Sequence, residues 1–382
     1  MTRGRRHAEI AGGGIGGLVA AAALAQRGWS VRVHERADHM RAYGAAIFAW
    51  YNLMRVMKAV GAYEEAVAGG APFVMRESRD ARNRVINTIA ASPRPEDRIF
   101  SVSRRRLVQA LASAAARAGA EICLSSVAVA ADPAGALVLG DGRRLPADLV
   151  VAADGVYSLV RDSIGLVRRR RTLPDGAIRV LVPRTAEERT SETGQKAIEY
   201  WSGRRRIFCS ACSQEEVYLA FMLPADDREG IRVPVNHETW IRSFPFLEDT
   251  IRRVGEEGRW DRFEFIELHR WAASRVAVVG YAANAMSPNT GQGAGTAAMN
   301  ALSLAVFVSE ARTIEEGLAA WEARERPLTE HTQRVAGIWG RLAHWPATIR
   351  TPILRYGARS RWLMSHRQRA AHHIPTGAEA FV

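Results

Sequence analysis

A glycine-rich hexapeptide near the start of the chain, Gly12-Gly13-Gly14-Ile15-Gly16-Gly17, limits the fold more than any other segment. Before it, His7 to Ala11 has the pattern of a short buried strand. After it, Leu18 to Arg27 is rich in alanine and leucine and is followed by Gly28, which predicts a helix and its C-terminal cap. Ser30 to His34 then alternates in polarity as a strand does. A strand, turn, helix and strand within about 30 residues form the unit that binds dinucleotides.

The glycines of this turn have separate physical roles. Gly12 permits the tight turn, Gly14 lets a pyrophosphate approach the backbone, and Gly17 lets the helix pack against the strand. The phosphates are expected at the helix N-terminus, where free N–H groups and the helix dipole favour anions. Glu35 ends the second strand, and its carboxylate is placed to accept hydrogen bonds from the ribose of an adenosine.

Later segments predict more strands of the same sheet and a second sheet between them. Asp148 to Ala153 and Arg275 to Gly280 have the composition of buried parallel strands. Helices are predicted at Ser101 to Gly119 and at Thr296 to Val308, and a capping-box spacing of Thr313 and Glu316 predicts the start of another. The strands expected in the second, more antiparallel sheet are Ile178 to Pro183, Ile207 to Cys212 and Val217 to Met222.

The predicted fold class is therefore α/β: a discontinuous Rossmann-like dinucleotide-binding domain, an inserted and mostly antiparallel β-sheet domain, and C-terminal helices. We expect the first domain to comprise residues 1–72, 97–172 and 268–345, and the inserted domain to comprise residues 73–96 and 173–267. Residues 346–382 form a basic C-terminal segment whose role the sequence does not indicate.

Charge and cysteine content narrow the functional class. The formal net charge is +13, with arginine clusters scattered along the chain, which favours a solvated surface that attracts anionic cofactors and substrates over a nucleic-acid binder. Three cysteines give no disulfide framework, and the Cys209–Cys212 pair has no second pair to complete a metal site. An arginine-rich start before the apolar stretch Gly12–Ala25 resembles a signal peptide, but the stretch lacks a cleavage site and is too short to span a bilayer. We predict a cytoplasmic protein with no membrane span and no metal.

Two further motifs carry a resemblance to a known family. One is Ala153-Asp154-Gly155-Val156-Tyr157-Ser158 followed by Arg161, and the other is Gly280-Tyr281-Ala282-Ala283-Asn284 followed by Pro288 and Gln292-Gly293-Ala294-Gly295. With the first glycine motif and an R-x-x-L sequence at Arg104, they resemble the flavin-dependent aromatic hydroxylases that have the 4-hydroxybenzoate hydroxylase fold. Among these the pyridine-ring oxygenases are the most similar. The resemblance covers most of residues 5–335.

The resemblance implies a single-component monooxygenase that binds FAD, takes electrons transiently from NADH or NADPH, and uses O2 through a flavin C4a-hydroperoxide. It implies a small anionic aromatic or pyridine carboxylate as substrate, and a homodimer is possible. Residues with implied roles toward the substrate or the reacting part of the flavin are Arg179, Arg206, Tyr218 and Pro288. Residues implied to bind FAD are Gly12, Gly14, Ile15, Gly17, Glu35, Arg36, Arg104, Asp154, Gly155, Gly280, Tyr281, Gly293, Ala294 and Gly295.

The chain departs from the family pattern inside these motifs. The family has an aspartate where this chain has Tyr281, and a histidine where it has Asn284. Loss of a charge-assisted acceptor for a flavin ribityl hydroxyl costs roughly 1.5–3 kcal/mol, unless Tyr281 points away and another group serves. Phe48 and Val74 stand where the pyridine oxygenases have tyrosines. Two alternatives follow: a hydroxylase of a hydroxybenzoate-like or natural-product ring, and a flavin-fold protein with impaired FAD binding that serves as a binding or regulatory module.

Overall fold

The computed structural model describes residues 5–40, 46–73, 75–90 and 99–381. A six-stranded sheet contains the glycine-rich turn at the end of its central strand, and every neighbouring pair in it is parallel except the first. In spatial order its strands are Ala272–Ala273, Val276–Val278, Leu149–Ala152, His7–Ala11, Ser30–His34 and Glu121–Cys123. Since the carboxyl ends of parallel strands meet at one edge, the three sequence motifs come together there.

A seven-stranded sheet forms the second layer, and all but one of its strand pairs are antiparallel. In order its strands are Trp260–Leu268, Val167–Pro183, Glu216–Pro224, Arg205–Ala211, Lys196–Ser202, Met75–Arg79 and Val85–Ala90. One face of this sheet packs on a separate apolar core around Trp240 and Phe244. The opposite face, which carries Phe208 and Tyr218, joins the main core of the protein. Side chains on that face are therefore directed toward the first sheet and its turns.

Two three-stranded sheets complete the strands. In spatial order, one contains Arg144–Pro146, Ala136–Leu139 and Ala128–Asp132. The other contains Ala46–Ala49, Ile99–Ser103 and Ala71–Phe73. The helices are Ile15–Gln26, Tyr51–Ala59, Tyr63–Val67, Arg104–Arg117, Leu159–Ser163, Ala186–Thr190, His237–Ser243, Glu248–Arg252, Tyr281–Asn284, Gly293–Glu310, Ile314–Leu342, Ala347–Gly357, Arg361–Arg367 and Arg369–His372.

The helix after the glycine-rich turn is buried on all sides. Residues from Ile15 to Ala25 are all inaccessible, because the Arg104–Arg117 and Gly293–Glu310 helices pack against it. A continuous apolar stretch in this position is therefore a core helix, which agrees with its interpretation as part of the fold rather than as a signal peptide. In the described part of the chain, no helix is long and apolar enough to cross a membrane.

The predicted α/β fold class with its inserted antiparallel sheet is confirmed. One element was predicted wrongly at its start: residues 101–103 belong to the strand Ile99–Ser103, and the helix begins at Arg104. The reason is the cap, because the Ser103 hydroxyl accepts a hydrogen bond from the Arg106 N–H and so fixes the first turn. The Thr313 hydroxyl likewise accepts from the Glu316 N–H at 3.2 Å, as the spacing predicted. The predicted domain boundaries remain a prediction.

The basic C-terminal segment folds back onto the rest of the protein. The Arg350 guanidinium donates to the carbonyl of Gly203 at 2.8 Å, and the Asn87 side chain donates to the carbonyl of Leu354 at 2.7 Å. Gln292, next to the last glycine motif, donates to the carbonyl of Arg367 at 2.7 Å and accepts from the N–H of Ala371 at 3.2 Å. The segment therefore covers the region where the two sheets meet.

Candidate active site

Of the three glycines with predicted roles in the turn, Gly12, Gly14 and Gly17, only Gly14 leaves room for a group from outside the protein. At Gly12 the backbone φ is +102°, and a Cβ there would lie 2.5 Å from the Ala153 carbonyl oxygen. A Cβ at Gly17 would lie 2.0 Å from the Gly12 carbonyl oxygen. At Gly14, in contrast, a Cβ would meet no protein atom within 4 Å, and the backbone conformation is an ordinary extended one. Gly14 thus faces open space at a helix N-terminus, as a phosphate-binding glycine does.

Glu35 is held beside this turn by the backbone. Its carboxylate accepts hydrogen bonds from the N–H groups of Gly13 at 2.9 Å and of Ala37 at 3.0 Å. The following residue, Arg36, is exposed at the surface. Extended backbone at Gly14, a helix N-terminus and a fixed carboxylate fit the pyrophosphate and ribose of a dinucleotide.

The second motif is rigid because its side chains are bonded within the loop. The Asp154 carboxylate accepts a hydrogen bond from the Ser158 hydroxyl, and burial raises the pKa of this carboxyl despite that bond. Gly155 follows with φ of +89°. Arg161 is fully buried and donates to the carbonyls of Val156 and Ala282, at 3.1 and 3.0 Å. Arg161 thereby fixes the second motif to the third.

The third motif places Tyr281 against the start of a long helix. Gly280 has φ of +63° and precedes a short helix that begins at Tyr281, whose side chain is 39% exposed. A Cβ at Gly293 would lie 2.5 Å from the Tyr281 hydroxyl, so the phenol ring lies directly over Gly293. Ala294 is half-buried, while a Cβ at Gly295 would collide with the side chain of Asn52. The tyrosine that replaces the family aspartate therefore faces the glycine turn and does not point away from it.

Arg104, Arg179, Tyr218 and Tyr281 lie near one another. Burial raises the pKa of the Tyr218 hydroxyl, and the adjacent Arg179 guanidinium acts in the opposite direction. Burial lowers the pKa of Arg104, with Tyr281 opposing and Arg179 adding to that effect. The Arg179 guanidinium also lies 5.5 Å from the ring centre of Phe263. This group therefore combines Arg179 and Tyr218 from two adjacent strands of the seven-stranded sheet with Arg104 and Tyr281, which each begin a helix outside that sheet.

Arg206 lies in a different part of the same sheet face. It is buried, and its guanidinium donates to Glu199 at 3.1 Å and to the side chain of Asn289 at 2.9 Å. Two of its nitrogens, Nε and Nη2, have no hydrogen-bond partner among the described residues. Asn289 follows Pro288, which starts the turn before the last glycine motif. Arg206 therefore contacts the loop of the third motif and still has N–H groups that could donate hydrogen bonds to a ligand.

The strand register sets the distance between Arg179 and Arg206, the two arginines with an implied role toward the substrate. Arg179 pairs with Ala220, whereas Arg206 pairs with Met222 on the other side of the same strand. Two strand spacings and two residues along the strand put their Cα atoms roughly 12 Å apart. Their distinct neighbours, Phe263 for Arg179 and Glu199 for Arg206, agree with separate positions.

A cleft extends from Arg206 toward the C-terminal helices. Its lining includes three guanidinium groups and apolar side chains from both ends of the chain: Arg76, Arg206, Arg367, Ile89, Phe208, Trp339, Leu354 and Met364. Burial and the nearby Arg76 lower the pKa of Arg367 to about 9. Of the two carboxylates in the lining, Glu77 is already paired with Arg79 and Lys196. This leaves Glu199 and Asp175, whose carboxylate lies 3.8 Å from the Arg206 guanidinium, to balance three cations. The cleft is therefore suited to an anionic group.

Comparison with known proteins agrees with this geometry. Residues 6–334 match the model of a family described as FAD binding domain. The chain belongs to the FAD-dependent aromatic monooxygenase family. It is 40% identical over 362 residues to the 2-heptyl-3-hydroxy-4(1H)-quinolone synthase of Mycobacteroides abscessus, covering 93% of this chain and 95% of that one. A putative synthase of the same name from Rhodococcus erythropolis is 38% identical over 371 residues, 97% of each chain.

The fold of this flavin monooxygenase also matches a solved structure over nearly its whole length. The tetrameric form of 2-methyl-3-hydroxypyridine-5-carboxylic acid oxygenase superposes with a TM-score of 0.88 at 37% identity, covering 98% of both chains. The C-terminal segment beyond residue 334 is therefore part of the shared fold.

Sequence reasoning missed several residues of the monooxygenase cleft. Arg76, Arg367 and Asn289 were not singled out, because no local pattern marks a residue that reaches a site from a distant segment. The basic tail was the one available signal for Arg367. Trp201 is buried and also lines the cleft, with Arg206 at 5.0 Å from its ring centre. Phe48 packs edge-on against Phe208 of the cleft, and Val74 lies outside the described residues.

Proposed function

We propose that this monooxygenase oxygenates a small nitrogen heteroaromatic ring that carries a hydroxyl or keto oxygen and an anionic group, with NADH or NADPH as reductant. The observation that carries the proposal is the buried Arg206, which contacts the loop after Pro288 and has two nitrogens without a hydrogen-bond partner among the described residues, one of them 3.8 Å from the Asp175 carboxylate. The names of the relatives support the ring class, since one oxygenase acts on a hydroxypyridine carboxylate and the synthases make a hydroxyquinolone.

Different residues would hold the cofactor and the substrate ring. Bound FAD supplies hydride acceptance and oxygen activation, which no amino-acid side chain can supply. Gly14 and the N-terminus of the Ile15–Gln26 helix would hold the pyrophosphate, with Glu35 on the ribose. The N–H groups from Gly293 to Gly295 would lie at the pyrimidine edge of the flavin and stabilise negative charge there.

The sheet face would bind and orient the substrate. Arg206, with Arg76 and Arg367 behind it, binds the anionic group. A tyrosine is protonated at neutral pH and burial raises the pKa of Tyr218 further, so Tyr218 can donate a hydrogen bond to a ring oxygen. Arg179 next to it favours the ionised form of that ring oxygen, and an ionised oxygen makes the ring richer in electrons. An electron-rich ring is what an electrophilic oxygen transfer requires.

A second candidate rests on Tyr281. Its phenol lies over Gly293, at the site where the family aspartate would accept a hydrogen bond from the cofactor. If FAD cannot displace it, the fold serves as a ligand-binding or regulatory module that uses the arginine cleft without redox chemistry.

One experiment separates the two candidates. The purified protein is mixed with excess FAD and desalted, and its visible absorption spectrum is recorded. Retained flavin bands, followed by NADH or NADPH oxidation that accelerates with a hydroxypyridine carboxylate or a hydroxyquinolone but not with benzene analogues, are the expected result. A hydroxybenzoate that accelerates oxidation more would favour the aromatic-acid alternative, and the absence of flavin would favour the module. Arg206→Gln should abolish the acceleration, whereas Arg228→Gln, at an exposed arginine outside the cleft lining, should not.

A further inference from the structure

The C-terminal part of the chain carries most of the excess positive charge. Residues 331–378 contain eight arginines and no lysine, aspartate or glutamate, so they hold +8 of the formal net charge of +13. Two of the eight, Arg350 and Arg367, point inward and are held by carbonyl groups and aromatic rings. The other six are exposed, and we call them the C-terminal basic surface: Arg334, Arg341, Arg355, Arg359, Arg361 and Arg369.

These six arginines differ from several exposed arginines elsewhere in the protein, which are paired with a carboxylate. Arg143 and Arg252, for example, each lie within 2.8 Å of a neighbouring carboxylate. Within residues 5–40, 46–73, 75–90 and 99–381, none of the six makes an ion pair with an aspartate or glutamate. No carboxylate of the described residues compensates their charge, so it adds a positive potential at the surface of residues 331–378.

Large apolar side chains are exposed among these arginines. Trp362 is 68% exposed, Tyr356 62% and Trp345 44%, with Ile338 and Ile349 about half exposed. The exposure follows helical periodicity: in the Ala347–Gly357 helix Ile349, Pro352 and Tyr356 face outward, while Arg350 and Leu354 are buried. An exposed apolar stripe with rings and guanidinium groups side by side is unusual on a surface that contacts only water.

We propose that the C-terminal basic surface docks on an anionic lipid bilayer. Tryptophan and tyrosine favour the interface between headgroups and acyl chains, and arginine binds the phosphates of anionic lipids. The short helices Ala347–Gly357 and Arg361–Arg367 can lie in the plane of that interface with their outer faces in it. Among the described helices none can span the bilayer, so the association is peripheral.

A twofold contact of this surface with the same surface of a second copy is unfavourable. A twofold dimer through the same patch would place the six arginines of one protomer against the six of the other, with no carboxylate among them. A nucleic acid would use the guanidinium groups but leave Ile338 and Ile349 without apolar partners. A bilayer supplies both anionic headgroups and an apolar layer.

The docked orientation would place the cleft close to the membrane. The helices that carry the surface line the cleft with their opposite faces, through Leu354, Ala358 and Met364. The cleft would then lie one helix away from the lipid. Docking itself does not depend on FAD or on the proposed reaction.

The test is vesicle co-sedimentation of the full-length protein, without added FAD. We expect binding to vesicles of phosphatidylcholine with 30% phosphatidylglycerol, and at least tenfold weaker binding to pure phosphatidylcholine (~30% anionic lipid is a typical surface charge). The triple variant Arg355→Glu, Arg359→Glu, Arg361→Glu should lose about 100-fold or more, since each arginine near the surface contributes about fivefold. The matched control is Arg82→Glu, Arg228→Glu, Arg270→Glu, three exposed arginines on other elements with the same change in net charge.

A second measurement tests whether the exposed apolar side chains contribute to vesicle binding. Trp362→Ser and Trp345→Ser should each weaken binding several-fold, and brominated lipids should quench tryptophan fluorescence of the wild type more than that of either variant. Leu124→Ser, an exposed apolar residue elsewhere, is the control. Equal losses in the two arginine triples, no binding to anionic vesicles, tighter binding to DNA than to vesicles, or a solution dimer that the Trp362 variant dissociates would each overturn the proposal. Thermal melting of each variant excludes unfolding as the cause.

Discussion

Two single-methyl substitutions in the glycine-rich turn should have opposite effects. Gly17→Ala places a Cβ 2.0 Å from the Gly12 carbonyl oxygen, so backbone must move. Gly14→Ala places a Cβ where no protein atom lies within 4 Å, on a backbone conformation that alanine adopts without strain. We therefore expect the first substitution to damage the fold and the second to damage only cofactor binding.

The sizes of the two effects follow from the geometry. A collision with backbone rather than with a flexible side chain belongs at the upper end of the range for overpacking, about 3 kcal/mol of unfolding free energy. Gly14→Ala should change the stability of the FAD-free protein by less than about 0.5 kcal/mol. Its methyl group would displace the pyrophosphate and cost at least one charge-assisted hydrogen bond, about 1.5–3 kcal/mol. That loss corresponds to an FAD dissociation constant about 10- to 150-fold higher.

Urea unfolding of the FAD-free proteins measures the first quantity, and titration of flavin fluorescence measures the second. The reasoning is refuted if Gly14→Ala binds FAD as tightly as the wild type, because the open space would then not be the cofactor's. It is equally refuted if Gly14→Ala unfolds as readily as Gly17→Ala.

Three further predictions concern other parts of the molecule. Tyr281→Asp should lower the FAD dissociation constant about tenfold or more by restoring a carboxylate acceptor, and Tyr281→Phe should not; the same fluorescence titration decides. Arg206→Gln should weaken binding of nicotinate, followed by calorimetry, about tenfold or more and leave binding of the neutral nicotinamide unchanged. Burial raises the pKa of the Glu325 carboxyl, so its stabilising contribution is present at low pH and lost as pH rises through that pKa. Glu325→Gln, which keeps an acceptor for the Ser303 hydroxyl, should thus match the wild type in urea unfolding at pH 4 and exceed it at pH 8.

Each of these has an outcome that would contradict it. Equal FAD affinity in Tyr281→Asp and Tyr281→Phe would mean that the acceptor is irrelevant. A parallel loss of nicotinate and nicotinamide binding in Arg206→Gln would indicate collapse of the cleft. A stability difference for Glu325→Gln that does not change with pH would show that the carboxyl does not titrate between those values.

The parts of the fold that could be predicted are those in which local chemistry determines local structure. The strands His7–Ala11 and Ser30–His34 match the prediction to the residue, because the first is a short apolar run that ends at Gly12 and the second alternates in polarity shortly after Gly28. The start of the Arg104–Arg117 helix was missed, since a serine can end a strand and cap a helix at once.

The arrangement of the site was less accessible, because it depends on register and on distant segments. Nothing local in the sequence shows that Arg179 and Arg206 are separated by two strand spacings. Arg367 reaches the cleft only because Gln292 holds its helix in place, a contact between positions 75 residues apart. The conformation of Tyr281 likewise required the position of Gly293 in three dimensions.

Gln292 links the cofactor loop to the end of the chain. Its side chain bonds the carbonyl of Arg367 and the N–H of Ala371 while its own backbone begins the helix at Gly293. Occupancy of the loop and order in the tail are therefore thermodynamically coupled: a ligand that rigidifies one must lower the opening frequency of the other. Binding of FAD should therefore slow the exchange of amide hydrogens in the Arg369–His372 helix. Deletion of that helix should in turn weaken the binding of FAD.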